Sequence, residues 1–231
     1  MLEYHQWRHV FKLDPNKSIS DEALEKVCES GTDAIIIGGS DGVTEDNTLD
    51  LLLRVRRYSV ACALEISSLE ALTPGYDYYL VPSVLNAGDL EWVVGKQHEA
   101  LKAYGELIEH ETLLAEGYCV LNKEAKVAER TKANTELDRE DVEAYARLAD
   151  QIFRMPIVYI EYSGGFGEPD IVKQVSRVVE SAKVFYGGGI TSVEEAKTMA
   201  HFADTIVVGN VIYDDLKAAL KTVQAVKETA S

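Results

Sequence analysis

Val184-Phe185-Tyr186-Gly187-Gly188-Gly189-Ile190-Thr191-Ser192 is an apolar run that ends in glycines and then a serine, with Glu195 three positions further on. Such a run reads as a buried strand, the glycines as a tight turn, and Ser-x-x-Glu as a capped helix start. Glycine lets backbone N–H groups approach an anion with no Cβ in the way, and a helix start adds unpaired N–H groups and a positive dipole end. About twenty residues later, Ile206-Val207-Val208-Gly209-Asn210 repeats the strand-glycine pattern. The pair describes a phosphate cradle. Two ordinary glycine-rich turns are the alternative, and only their pairing favours the cradle.

Outward from that stretch, short apolar runs alternate with helix-period segments over the whole chain, the pattern of βα units around a parallel sheet. Strands are predicted over 9–14, 34–40, 61–67, 78–86, 117–122, 157–163, 183–188 and 205–210, and helices over 20–29, 44–57, 89–108, 139–153, 170–181, 192–202 and 212–226. Eight strands close a (β/α)8 TIM barrel, whose phosphate sites lie in the loops after its last two strands. No linker or charge block divides residues 1–231, so one α/β domain is expected. One interval departs from the pattern. Between Ser67 and Tyr78, around Pro74-Gly75, too little chain remains for a full crossover helix, so the barrel is expected to be modified, with its third helix missing or replaced by a loop. The open flank would suit a long hydrophobic ligand, with Leu69, Leu72, Tyr76, Tyr78, Tyr79, Leu101 and Tyr104 nearby; core or dimer contacts are the equal alternative. Gly38-Gly39-Ser40 before Thr44-Glu45 weakly echoes Gly188-Gly189 before Ser192, as half-barrel symmetry would.

Composition narrows the function. With 46% hydrophobic and 27% charged residues the chain is an ordinary globular one. A net charge of −16 argues against nucleic acid and against a basic membrane anchor. An anionic substrate must then be held locally, by backbone N–H groups, a placed lysine or a metal ion. Residues 1–10 carry no signal-peptide core and no apolar run reaches the roughly 18 residues of a membrane span, so a cytoplasmic protein is expected. Cys28, Cys62 and Cys119 read as buried thiols, and the five histidines show no metal-ligand spacing.

Chemistry on such a barrel sits at the C-terminal strand ends. Lys12 and Asp14 share one face of the first strand, with Phe11 and Leu13 on the other. Their burial is costly unless functional, although a structural ion pair is the alternative. On the sixth strand Tyr159, Glu161 and Ser163 share a face before Gly164-Gly165. An acid among apolar residues is hard to ionise and suits a general base; a carboxylate locked by Lys12 or a tyrosine hydroxyl is the structural reading, and both can hold. Ser40 and Asp14 would suit Mg2+, which takes few protein oxygens and completes its shell with water and phosphate. Glu65, Asn86 and Asn122 are weaker candidates.

Together, Phe11-Lys12-Leu13-Asp14-Pro15, Ile37-Gly38-Gly39-Ser40-Asp41-Gly42-Val43-Thr44, Tyr159-Ile160-Glu161-Tyr162-Ser163-Gly164, Phe185-Tyr186-Gly187-Gly188-Gly189-Ile190 and Val208-Gly209-Asn210 resemble the geranylgeranylglyceryl phosphate synthase family, most closely its bacterial PcrB-type heptaprenylglyceryl phosphate synthases. The resemblance implies a homodimeric prenyltransferase that joins the C3 hydroxyl of sn-glycerol 1-phosphate to a polyprenyl diphosphate, heptaprenyl favoured, in an ether, and releases diphosphate with Mg2+. It also implies a place in phospholipid biosynthesis and at most transient membrane contact on product release. By position, sn-glycerol 1-phosphate would be held by Lys12, Tyr159, Ile160, Glu161, Tyr162, Ser163, Gly164, Gly189, Gly209 and Asn210. Asp14 and Ser40 would hold Mg2+, and Glu161 and Lys12 would be catalytic.

Three alternatives remain open: another donor length, a phosphosugar isomerase or aldolase on the same barrel, and a non-catalytic polyprenyl phosphate carrier. Against the second, the fifth strand ends in Asn122-Lys123 and the sixth offers Glu161 where an aldolase needs a Schiff-base lysine. Small Ala100, on the helix after the fourth strand, is one position where bulk would shorten a groove.

Overall fold

The computed structural model describes residues 3–106 and 108–229. Eight parallel strands, β1 His9–Leu13, β2 Ala34–Ile37, β3 Ala61–Glu65, β4 Tyr78–Val84, β5 Leu113–Val120, β6 Ile157–Glu161, β7 Lys183–Gly187 and β8 Thr205–Val208, form a closed barrel in sequence order. Closure is made by β8 on β1, with Val10 opposite Val207 and Phe11 opposite Val208. The alternation in the sequence becomes two layers. Phe11, Leu13, Ile35, Ile37, Ile160, Tyr186 and Val208 pack outward against the helices. Val10, Ile36, Ala63, Tyr118, Tyr159, Phe185 and Val207 fill the interior. A two-residue period on a closed parallel sheet permits no other division.

The surrounding helices are α1 Asp21–Cys28, α2 Glu45–Val55, α3 Gly95–Tyr104, α4 Lys126–Thr131, α5 Arg139–Arg147, α6 Pro169–Val178, α7 Val193–Ala200, α8 Val211–Asp214 and α9 Leu216–Thr229. Ser20, Thr44, Asp138 and Ser192 cap α1, α2, α5 and α7 through their side chains, and Pro169 begins α6, where its missing N–H is harmless. The expected helix over 212–226 is divided at Asp215, whose carboxylate accepts from Ala218 N at 3.0 Å and starts α9. The helix expected over 89–108 is confined to α3, after a 3-10 turn at Leu90–Trp92; of that expectation, Leu107 lies outside the described residues.

No α-helix lies between β3 and β4, where a single 3-10 turn, Leu69–Ala71, makes the crossover. Gly75, at φ +109, turns the chain back into the sheet. Tyr76 and Tyr79 fill the space a helix would take, their hydroxyls donating to Thr48 O and Thr73 O at 3.1 Å each. They are therefore core residues and not groove residues. Tyr78 likewise faces the barrel interior, edge-on to Trp7 with centroids 5.5 Å apart. Of the flank residues expected to line a groove, Leu69 does so. At the opposite end of the barrel His9 lies between Thr32 Oγ1 and Thr222 Oγ1, 2.9 Å from each, and burial lowers its pKa to about 3. It is a neutral structural residue.

Candidate active site

The interior face of β1 carries Lys12 toward the C-terminal mouth, and the matching face of β3 carries Glu65. Lys12 Nζ meets Glu65 Oε1 at 2.5 Å, and the Tyr118 hydroxyl donates to Glu65 Oε2 at 2.5 Å. Lys12 is thus paired with neither Asp14 nor Glu161. Burial pulls its pKa down, but Glu65, Glu161 and Glu116 outweigh that and hold it above the usual lysine range. It stays an ammonium, the wrong form for a Schiff base.

Glu161 closes β6 at the floor of the mouth and is 3% exposed. Its Oε1 accepts from Ser163 N at 2.5 Å and also from the Ser163 hydroxyl. Burial raises its pKa, against the opposing charge of Lys12 and the Ser163 hydrogen bonds. A carboxyl so balanced takes up a proton more readily than an exposed one. Below it, Tyr159 stacks on Tyr118 with centroids 4.2 Å apart and is 1% exposed. Its hydroxyl occupies the room left by the absent side chain of Gly187. Tyr159 therefore supports the site from beneath. Ile160 points outward into the layer under the helices and reaches the mouth through its backbone alone. Tyr162 packs outward too, against the backbone of Gly167 and Gly188.

Across the mouth the loops after β6 and β7 interlock. Gly188 and Gly189 have φ of +150 and +56, and a Cβ on Gly189 would overlap the backbone of Gly165 and Phe166. The Tyr186 hydroxyl accepts from Gly167 N at 2.8 Å and donates to Gly188 O at 2.9 Å, tying the two loops. The N–H groups of Gly188 and Gly189 have no acceptor among the described residues. The start of α7 is capped as the Ser-x-x-Glu spacing predicts: Glu195 N donates to Ser192 Oγ at 3.2 Å, and the Glu195 carboxylate accepts from Thr191 N at 2.8 Å and Ser192 N at 3.0 Å. Gly209 lies over β1, a Cβ there being 3.6 Å from Lys12 O, and Asn210 Oδ1 accepts from Lys17 Nζ at 3.0 Å. Asn122 Nδ2 donates to Ser163 O at 2.7 Å, fixing the loop that holds Gly164.

Asp14 meets the loop after β2 at Gly39, the neighbour of Ser40, where a Cβ would stand 2.6 Å from Asp14 Oδ1. Asn16 N donates to that oxygen at 2.9 Å. One carboxylate beside a hydroxyl-bearing loop suits a cation that draws most of its shell from water and phosphate. Three acidic, histidine or cysteine side chains are nowhere grouped for a metal among the described residues. From this corner a cleft runs out beneath the short crossover, lined by Glu161 and Ser163 and by Ile66, Leu69, Val81, Val84, Trp92 and Ala100.

A profile of the PcrB family matches residues 2–227. The chain belongs to the PcrB family. It is 58% identical over 230 residues to the heptaprenylglyceryl phosphate synthase of Geobacillus kaustophilus (strain HTA426), covering 100% of this chain and 96% of that one. It is 58% identical over 227 residues to the enzyme of the same name from Bacillus cereus (strain B4264), covering 98% and 99%. Among solved structures it is similar to (S)-3-O-geranylgeranylglyceryl phosphate synthase from Thermoplasma acidophilum in complex with substrate sn-glycerol-1-phosphate, with TM-score 0.83, 28% identity, and 95% and 93% of the two chains covered. The wild-type GGGPS from Thermoplasma volcanium superposes with TM-score 0.84 at 26% identity, over 96% and 93% of the chains.

In this PcrB-family chain the structure adds residues that the sequence reading passed over. Glu116, on the interior face of β5, is fully buried and neither carboxyl oxygen has a hydrogen-bond partner. Burial first and the charge of Glu65 next push its pKa well above the ordinary value, so it is a neutral acid beneath the site. Its sequence signal was an acid two residues before Tyr118 in an otherwise apolar strand. Asn86, by contrast, donates to Val120 O at 2.7 Å and Asn134 O at 2.9 Å and is structural.

Proposed function

We propose that this protein is a prenyltransferase that makes heptaprenylglyceryl phosphate from sn-glycerol 1-phosphate and heptaprenyl diphosphate. The observation that carries the reading is the placement of Glu161, a buried carboxyl at the end of β6 that stands opposite Gly187 of β7 and lines the apolar cleft. The full-length likeness to heptaprenylglyceryl phosphate synthases supports the donor length. The neighbour with bound sn-glycerol-1-phosphate supports the acceptor.

The acceptor phosphate is held by the free N–H groups of the Gly188-Gly189 loop, with the Gly209-Asn210 loop beside Lys17 completing the cradle. This leaves the C3 hydroxyl over Glu161. The hydroxyl oxygen attacks the first carbon of the prenyl chain, the carbon–oxygen bond to diphosphate breaks, and diphosphate leaves with the bonding pair. The hydroxyl proton passes to the Glu161 carboxylate. Lys12, fixed by Glu65, keeps a positive charge beside Glu161 and favours its ionised form before attack. Asp14 and Ser40 would hold Mg2+, which supplies positive charge to the leaving diphosphate when bound. The apolar cleft takes the hydrocarbon tail and keeps water from the allylic carbon.

A homodimer in the cytoplasm completes the proposal. Exposed Ile152 and Phe153 offer apolar surface after α5, the three cysteines are free and buried, and no helix among the described residues is long and apolar enough to cross a membrane. The test is to offer sn-glycerol 1-phosphate with a ladder of prenyl diphosphates and weigh the product. A seven-isoprene ether with stoichiometric diphosphate is expected. Bound lipid without released diphosphate would make the protein a carrier instead.

A further inference from the structure

The cleft wall holds two basic residues, Lys96 and Arg130, and the structure treats them differently. Lys96 Nζ is neutralised twice, by Glu91 at 2.8 Å and Glu99 at 3.2 Å. Nearby, Lys126 is paired with Asp41 at 2.5 Å and Lys132 with Asp89 at 2.9 Å. Arg130 pairs with no carboxylate among the described residues. Its Nη1 donates to the carbonyl of Ser40 at 2.5 Å, and its guanidinium carbon stands 5.3 Å from the centre of the Trp92 ring. One donor is thus spent on a neutral oxygen, and the aromatic face orients the guanidinium plane. The rest of the fork remains free beside the Asp14–Gly39–Ser40 corner. In a chain of net charge −16, an arginine at the mouth of the apolar cleft that makes no ion pair among the described residues, with neighbouring Asp41 already taken by Lys126, is the group that complements a phosphate.

We propose that Arg130 is the clamp for the diphosphate of the prenyl donor, so that the short helix α4 is part of the donor site. The proposal rests on the prenyl-transfer reading. Arg130 holds a terminal phosphate through two N–H groups while its bond to Ser40 O keeps α4 against the loop after β2. The hydrocarbon tail then leaves this point along the wall made by Ile66, Leu69, Val81, Trp92 and Ala100. The acceptor cradle, on the loops after β6 to β8, owes nothing to this residue.

Calorimetric titration of the full chain with inorganic pyrophosphate in the presence of Mg2+, alongside titration with sn-glycerol 1-phosphate, tests the assignment. Arg130→Gln keeps a donor for Ser40 O and loses the charge; Arg130→Ala loses both. Each should weaken pyrophosphate about tenfold or more and raise the KM for the prenyl diphosphate similarly, with sn-glycerol 1-phosphate affinity within about twofold of wild type. Arg130→Lys should recover only part of the loss, because an ammonium lacks the fork. Wild-type pyrophosphate affinity in Arg130→Gln overturns the proposal. So does an equal loss of both ligands, which would mark a residue that merely pins α4. A wild-type chain that binds pyrophosphate through Arg130 yet forms no ether from any donor would sink the prenyl-transfer reading and leave the clamp standing.

Discussion

The two sides of the barrel mouth solve opposite problems. From β6 to β8 every crossover carries a helix, and the loops are glycine-rich, pressed together and tied by the Tyr186 hydroxyl. From β3 to β4 the helix is gone, and the cleft beneath is walled by side chains from the β3 loop, β4, the 3-10 turn and α3. The first side offers an anion rigid backbone donors. The second offers a hydrocarbon space by leaving out an element the fold normally has. Glu161 ends β6 opposite Gly187 of β7 and also lines the cleft. Rigid backbone recognises a small charged group, whereas a long apolar chain needs room more than contacts.

That contrast can be broken at its centre first. Glu161→Gln should lower kcat by about 10²–10⁴ with sn-glycerol 1-phosphate affinity retained, as measured by initial rates and calorimetry. Unchanged turnover would reassign the base. In the wild type, kcat/KM should fall as pH drops through a value above that of an ordinary glutamate, because burial raises the Glu161 pKa and its acidic form cannot accept the proton. On the rigid side, Gly189→Ala forces a side chain into a left-handed backbone and against Gly165. Affinity for sn-glycerol 1-phosphate should drop about tenfold or more while the donor KM changes little, since such a conformation costs roughly 1–2 kcal/mol before the overlap is counted. A loss confined to the donor would reverse the assignment of the two sides.

On the open side, Ala100→Trp adds bulk to the cleft wall and should shift product mass toward shorter prenyl chains, leaving acceptor affinity unchanged. The smallest effect is expected beneath both. Glu116→Gln replaces an acid that the fold holds neutral. As pH rises past the ordinary glutamate value, the unfolded chain loses this proton and the native chain keeps it. The stability Glu116 contributes at acid pH is therefore lost as pH rises toward its raised native value. The variant should melt with the wild type in acid and a few degrees above it at neutral pH, by calorimetry. Equal melting temperatures at both would mean that Glu116 is ionised in the native protein.

Eight strands and the missing third helix were legible because each rests on local facts: a two-residue apolar period, glycine turns, and a stretch around Pro74-Gly75 too short for a crossover helix. The outward face of Phe11 and Leu13 on β1, and the inward face of Tyr159 on β6, followed from the same period. Helix α4 escaped notice because six residues show too little periodicity to stand out. The partner of Lys12 was not legible either, since Glu65 lies two strands away and only the curvature of the closed sheet brings it within 2.5 Å. Ile160 sits within the matching motif yet its side chain faces away from the mouth, because contiguity in a strand alternates faces.

By itself the sequence determined the order of βα units, the inward and outward residues, and the family to which those motifs belong, all properties of spacing along the chain. The tertiary structure alone decided which charges meet. It set Lys12 on Glu65 and kept Arg130 free of any carboxylate among the described residues. Ion pairs and hydrogen bonds depend on distances of a few ångströms between strands and loops far apart in sequence, and closure of the barrel fixes those distances.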